Sequence, residues 1–333
     1  ALRTQVRLEV TRPDASDEYI AAFSLPRVRL QSEGFAYGKA NTYKLEFDFA
    51  GRGNANLRDF WVNRSVGAVH LRAGQWKRPF TRAQISSDFG LQFLESSLST
   101  QFATDRLVRD IGVAVHNDYE KSKDGVEWVA GFFNGTGEAA RQKLTCPDPA
   151  DPEACTISTP TNVPPDYDPM LLARVGFNHG GIKGYSEGDV EGGPLRVAVG
   201  AAYKLDFNNF DKNADDDLVL GHAGTLDAVL KLEGFSVAGA VSFVKVGDAD
   251  ADLTFFGQSG YLLVPKTLEL AARFAQLPDA SGSDESLHEI LGGLNYYLEG
   301  HSLKWMLDGG VIHHTAGGGA TDQQIRTQVQ LVF

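Results

Sequence analysis

The stretch "QIRTQVQLVF", residues 324–333, alternates from Gln324 to Leu331. Ile325, Thr327, Val329, Leu331 and Phe333 share one parity; Arg326, Gln328 and Gln330 share the other. Successive side chains of a strand point to opposite faces, so this segment has one apolar face and one wet, partly charged face. A soluble protein turns the apolar face to its core, whereas a transmembrane barrel turns it to lipid. The rest of the chain decides between the two.

Sixteen segments carry the same period of two, from residues 2–11 to residues 322–333, and no helical period is sustained. Their lengths of ~10–13 residues suit tilted strands that cross a bilayer. Connection length sorts by parity. The even-numbered connections include the short turns at 37–41, 65–67, 233–235, 264–267 and 299–302, and the odd-numbered ones include 79–108, 135–168, 208–218, 277–285 and 314–321. A soluble sandwich or propeller has no reason to sort its loops this way, and an outer-membrane barrel does. One connection breaks the pattern: "GIKGYSEGDVEGG", 181–193, is too long for a turn on the short side. An even strand count places both termini on that side, which is then the periplasm. The expected fold is all-β, a 16-stranded antiparallel transmembrane β-barrel over residues 1–333, embedded in outer-membrane lipid and lipopolysaccharide.

The bulk numbers agree. Mean hydropathy is −0.22, which a barrel tolerates because only alternate residues meet lipid. There is no apolar run of ~18 residues and so no transmembrane helix. The chain opens directly in "LRTQVRLEV", so a secretory leader, if one existed, is expected to have been removed or left out of this sequence. Tyr43, Leu45, Phe47 and Phe49 share a face, as do Val197, Val199, Tyr203, Leu205 and Phe207. Aromatics near strand ends fit interfacial girdles.

Cys146 and Cys155 lie in the Pro/Asp-rich loop "TCPDPADPEACT" and suit a disulfide in an oxidising compartment. The net charge of −12 argues against nucleic acid. It is uneven: residues 1–80 hold 13 Lys+Arg and 8 Asp+Glu, a net of +5, and the remainder carries −17. The acidic surplus falls largely in odd-numbered connections. "DKNADDD" offers Asp211, Asp215, Asp216 and Asp217 as candidate Ca²⁺ ligands, but it lacks an EF-hand pattern, and such clusters are mostly solvated surface. No cofactor is otherwise implied.

Residues 67–112 carry a more specific signal. Gly74–Phe80 reads Gly-Gln-aromatic-Lys-x-Pro-Phe, Leu91–Glu95 reads Leu-x-Phe-x-acidic, and Arg109–Val113 reads Arg-Asp-Ile-Gly-Val. This stretch resembles the phosphate-selective porin O and P family of bacterial outer membranes. Weaker matches at 28–34, 43–51, 268–277 and 291–301 extend the likeness over most of the chain. The resemblance implies a 16-stranded porin, usually a homotrimer, whose third extracellular loop (79–108) folds inward as a constriction, while 135–168 forms a long extracellular loop. It also implies passage of small hydrophilic solutes, with phosphate or polyphosphate selected in some members. The loop's own residues agree with an inward path: Ile85, Phe89, Leu91, Phe93 and Leu94 would meet water outside and an inner wall inside.

If lipid takes one parity, the lumen takes the other. Its basic residues are Arg3, Arg7, Arg27, Arg29, Lys44, Arg58 and Arg72 on the early strands, Lys77, Arg78, Arg82, Arg106 and Arg109 around the inward loop, and Arg326 on the last strand. A wall of guanidinium groups favours anions. Glu46, Asp48, Asp88, Glu95, Asp105 and Asp110 could instead pair with that wall and leave a weakly selective general pore. A third reading is a sheath barrel around a partner protein, which a 30-residue inward loop would obstruct. No nucleophile elbow, P-loop or zincin motif occurs, and in "VIHHT" the adjacent histidines point to opposite faces, so no enzyme is expected.

Overall fold

All sixteen period-2 segments are strands. In the computed structural model they are β1 (Leu2–Arg12), β2 (Ile20–Phe35), β3 (Asn41–Asp48), β4 (Asn56–Val66), β5 (Val69–Lys77), β6 (Arg109–His116), β7 (Gly125–Phe133) and β8 (Met170–His179). They continue as β9 (Arg196–Asp206), β10 (Gly221–Leu232), β11 (Phe235–Val246), β12 (Asp252–Val264), β13 (Leu268–Pro278), β14 (Ser286–Glu299), β15 (Leu303–His314) and β16 (Thr321–Val332). The structure describes all residues except 15–17, 51–54, 105–107, 139–142, 146–155, 159–168, 183–184, 208–218, 280–283 and 317–318. A short hairpin, Lys143–Thr145 with Thr156–Ser158, lies in the seventh connection.

Each strand pairs antiparallel with its sequence neighbour, and β1 pairs with β16 from Arg3↔Val332 to Arg12↔Gln323. Closure leaves the barrel with no edge strand. No described helix is long and apolar enough to cross a membrane.

The last strand sorts its residues as the alternation requires. Ile325, Val329 and Phe333 are exposed on the outer wall, and Arg326, Gln328 and Gln330 are buried inside. The outer wall continues this apolar band through residues such as Val113, Phe132, Val175, Val199, Leu226 and Ile290. An apolar groove of ≈ 470 Å³ lined by Val62, Leu71, Val113 and Phe132 is part of that wall.

Two β-bulges adjust the parity on the basic side. One falls between Gln5↔Arg27 and Arg7↔Ser24, so Arg27 and Arg29 both turn inward beyond it. The other skips Arg58 between Phe47↔Leu57 and Glu46↔Asp59. The short connections are tight turns. Glu233 (φ 48°) and Gly234 (φ 88°) both hold positive φ, the pairing that a two-residue type I′ hairpin requires. Both chain ends lie at this short-connection end, where Leu2 N donates to Phe333 O.

Candidate functional site: the barrel lumen

The fifth connection leaves β5 and runs down the inside of the barrel. It contains two short helices, α1 (Arg82–Ile85) and α2 (Leu98–Ala103). Each has a hydroxyl cap: Thr81 Oγ1 accepts from Gln84 N, and Ser97 Oγ accepts from Thr100 N. The five apolar anchors are buried. Phe93 packs with Ala271 and Leu291, under the Arg273 guanidinium 4.4 Å from its ring. Ile85 joins Trp76, Phe80 and Phe133.

A buried loop must also pair its backbone. Inward side chains of the late strands do this. Lys304 Nζ donates to Leu91 O (2.8 Å), Gln330 Nε2 to Phe89 O (2.9 Å) and Asn295 Nδ2 to Gln92 O (2.9 Å), while Asp308 Oδ2 accepts from Leu94 N (3.0 Å).

The family-like motif has a local mechanical reading. Gly74 pairs with Gly112 across β5 and β6. Gly74 has φ +133°, and a Cβ there would sit 2.1 Å from Phe60 O; a Cβ on Gly112 would sit 2.1 Å from Phe132 O. Both positions need glycine for backbone approach. Gln75 Nε2 bridges Leu57 O and Arg58 O at the bulge, and Trp76 packs against Phe133 with ring centroids 5.0 Å apart and planes tilted by 56°.

Two loop carboxylates reach across to the basic wall. Asp88 contacts Arg29 (2.6 Å), Lys77 (3.1 Å) and Arg27 (3.4 Å), and Glu95 contacts Arg27 (2.6 Å) and Arg7 (2.7 Å). Burial alone would push the Asp88 carboxyl up; Lys77, Arg29 and Arg27 outweigh it and hold the group well below its ordinary value.

Between the loop and the β1–β6 wall lies a chamber of ≈ 640 Å³. Seven cations line it (Arg3, Arg29, Lys44, Arg72, Lys77, Arg109, Lys121) against six carboxylates (Glu33, Glu46, Asp59, Asp88, Asp118, Glu120). Most are paired: Arg109–Asp59 at 2.7 Å, Lys44–Asp59 at 2.6 Å, Arg29–Asp48 at 2.9 Å and Arg72–Glu120 at 2.7 Å. Arg72 also lies 4.3 Å from the Trp61 ring. Among the described residues, the buried donors Arg109 Nη1 and Trp76 Nε1 find no hydrogen-bond partner.

Of the basic residues singled out from sequence, Arg3, Arg29, Lys44, Arg72, Lys77 and Arg109 line the chamber. Arg7 and Arg27 are inward but held by Glu95, and Arg58 is paired with Glu138 at 2.7 Å. Arg78, Arg82 and Arg326 are lumen-side residues placed beneath packed chain. Arg78 donates to Thr104 O (2.7 Å), Arg82 to Glu127 (3.2 Å), and Arg326 grips Asp308 through two bonds of 2.8 Å. Arg78 and Arg82 pin the inward chain directly and Arg326 does so through Asp308, which accepts from Leu94 N; none of the three lines the chamber. Arg106, the Cys146–Cys155 disulfide and the candidate Ca²⁺ ligands Asp211, Asp215, Asp216 and Asp217 lie outside the described residues.

Sequence reasoning missed the charges of the other half. Arg174 pairs bidentately with Asp227 (2.7 and 2.8 Å), and Arg273 with Glu289 (3.0 Å). Both pairs sit on inward parity, so the alternation that located the early-strand arginines was sufficient to find them.

The comparisons agree with this geometry. Residues 2–143 match the phosphate-selective porin O and P family. The resemblance read from residues 67–112 is thereby borne out. No curated protein matches the sequence. Among solved structures the porin fold extends over the full chain. An anion-selective porin from Comamonas acidovorans is 12% identical, with 100% of this chain and 99% of that one covered and a TM-score of 0.67. Outer-membrane expressed OmpT of Vibrio cholerae is 12% identical over 99% and 97%, with a TM-score of 0.59. A mutant Rh. blastica porin is 13% identical over 99% of each chain, with a TM-score of 0.52.

Proposed function

We propose that this protein is a bacterial outer-membrane porin whose narrow water-filled path runs along the β1–β6 wall and passes small hydrophilic solutes with a weak preference for anions. The chamber carries the reading: it lies on the lumen side, and its wall holds seven cations against six carboxylates. Near balance gives a transverse field with little net charge, so strong selectivity is not expected. The slight excess, with donors left over on Arg109 and Trp76, tilts the wall toward anions. The match of residues 2–143 to phosphate-selective porins and the fold shared with an anion-selective porin support the same direction.

In this reading the short-connection end and both termini face the periplasm, and lipopolysaccharide surrounds the other end. A homotrimer is the assembly we expect, in keeping with the trimer form recorded for V. cholerae OmpT. A sheath function is disfavoured, because loop residues Leu91, Phe93 and Leu94 occupy the space a protein guest would need. Reconstitution in planar bilayers tests the proposal. Discrete conductance steps in KCl are expected, with neutral-solute entry into proteoliposomes that falls off as solute size rises, and an electrically silent barrel would refute it.

A further inference from the structure

The connection that broke the loop-length rule has a structural role. From the chain reversal after β8, its described residues turn into the barrel from the short-connection end. Ile182 is almost fully buried against Ala198, Val229 and Ala238, three small inward side chains on β9, β10 and β11. An apolar patch on a water-filled lumen would otherwise be wet, and Ile182 covers it. The Tyr185 hydroxyl donates to Glu127 Oε1 (2.6 Å), and its ring lies 4.5 Å from the Arg82 guanidinium of α1. Lys231 Nζ donates to Ser186 Oγ (2.7 Å). Asp189 accepts from Arg196 (2.5 Å) and from Gly234 N (2.8 Å), anchoring the segment to two neighbouring strand ends.

Its tip meets the constriction loop. Glu187 Oε2 accepts from Gln92 N (2.9 Å), and a Cβ on Gly188 would sit 3.4 Å from Gln92 Cγ and 2.9 Å from Glu269 Oε1. The seam between the two segments, bounded by Ala83, Ser86, Ser186, Glu187 and Ala238, holds a cavity of only ≈ 20 Å³. That is room for about one water.

We infer that the eighth connection is a second inward element. It docks on the tip of the constriction loop, seals the β8–β12 side of the lumen, and confines solutes to the β1–β6 chamber. It therefore sets pore size and selectivity together with the fifth connection. The inference deepens the porin reading and rests on it for its effect on conduction, but the seal itself can be measured without conduction. In a Cys146→Ser/Cys155→Ser background, Ala238→Cys places a thiol under Ile182. We expect a water-soluble methanethiosulfonate reagent to leave that thiol largely unmodified in the folded barrel. Replacing residues 182–193 with a short Gly-Ser turn should speed modification about tenfold or more by removing its cover. The Tyr185→Ala/Glu187→Ala double variant, which keeps the chain length, should do the same if the shortened protein fails to fold. Either variant should raise single-channel conductance and lessen anion preference, since solutes gain a route past the mixed charges of the other half. Equal modification rates with and without the segment would overturn the seal, whatever the bilayer recordings give. Faster modification with unchanged conductance would overturn its role in the pore.

Discussion

The two halves of the lumen are built from the same alternation and reach opposite ends. On β1–β6, inward Arg, Lys, Asp and Glu line a chamber of ≈ 640 Å³; Arg3, Lys44 and Lys77 keep partial exposure there, while Arg29, Arg72 and Arg109 are buried among carboxylates at its wall. On β8–β16, inward Arg174, Arg273, Lys304 and Arg326 are buried under two inward-folded connections and spend their donors on partners and on loop carbonyls. Parity decides which residues turn in. The inward connections decide which of those line open space, and so which are pore wall and which are scaffold.

The strongest way to break the contrast is to remove its cause. Deleting residues 85–102 should expose the scaffold half to water and raise single-channel conductance several-fold, because a bare 16-stranded barrel leaves an aqueous channel. Unchanged conductance would mean that the described loop does not narrow the path.

Single ion pairs should differ in cost between the halves. Asp227→Ala strands the buried Arg174 guanidinium and its neighbour Arg82, and should cost about 3–5 kcal/mol. Glu120→Gln, whose side chain is 36% exposed and whose amide oxygen can still accept from the buried Arg72, should cost less, about 1–2 kcal/mol. The thermal midpoint of barrel unfolding on gels compares them, and equal losses would contradict the division into scaffold and wall.

Selectivity should respond in the reverse order. Arg29→Gln with Arg109→Gln leaves Glu46, Asp59 and Asp88 under-compensated, so the reversal potential should move toward the cation side. Arg326→Gln should leave it where it was. A shift from Arg326→Gln as large as that from the wall pair would show that the covered half also conducts.

Acid should have the smallest effect. The Asp88 carboxyl is held well below its ordinary value, so its contribution to loop docking is complete above ~3.9 and is lost only as pH falls through the lower folded value. Hydrogen exchange of residues 85–96, corrected for its intrinsic pH dependence, should be level from about pH 7 to about pH 4.5. A rise within that window would mean that Asp88 does not hold the loop. We also expect Cys146 and Cys155, which follow and precede the paired Thr145 and Thr156, to titrate as no free thiol in unreduced protein.

The barrel was legible because its physics is periodic. Strand number, closure and the face of each residue in "QIRTQVQLVF" follow from alternation and from loop lengths sorted by parity. The inward path of residues 79–108 was legible too, since Phe89, Leu91 and Phe93 have no place in water. The partition of the basic residues was not. Arg78 and Arg82 carry the same charge as Lys77 and Arg109, and only the packing of α1 against Phe80, Glu127 and Asp227 tells pin from wall. The eighth connection announced itself as a misfit. Its destination depended on Ile182 finding Ala198 and Ala238, small inward residues whose meaning appears only when three strands are set side by side.

On the proposed function, solutes pass through a narrow channel along a nearly balanced, slightly basic wall. The most direct measurement is the reversal potential of the unmodified protein across a KCl gradient, with roughly 0.1 M on the dilute side, where screening extends over ~10 Å. The account predicts a small displacement toward the Cl⁻ potential that shrinks as salt is raised. A displacement toward the K⁺ potential would contradict it, because the carboxylates would then outweigh the arginines that face the chamber.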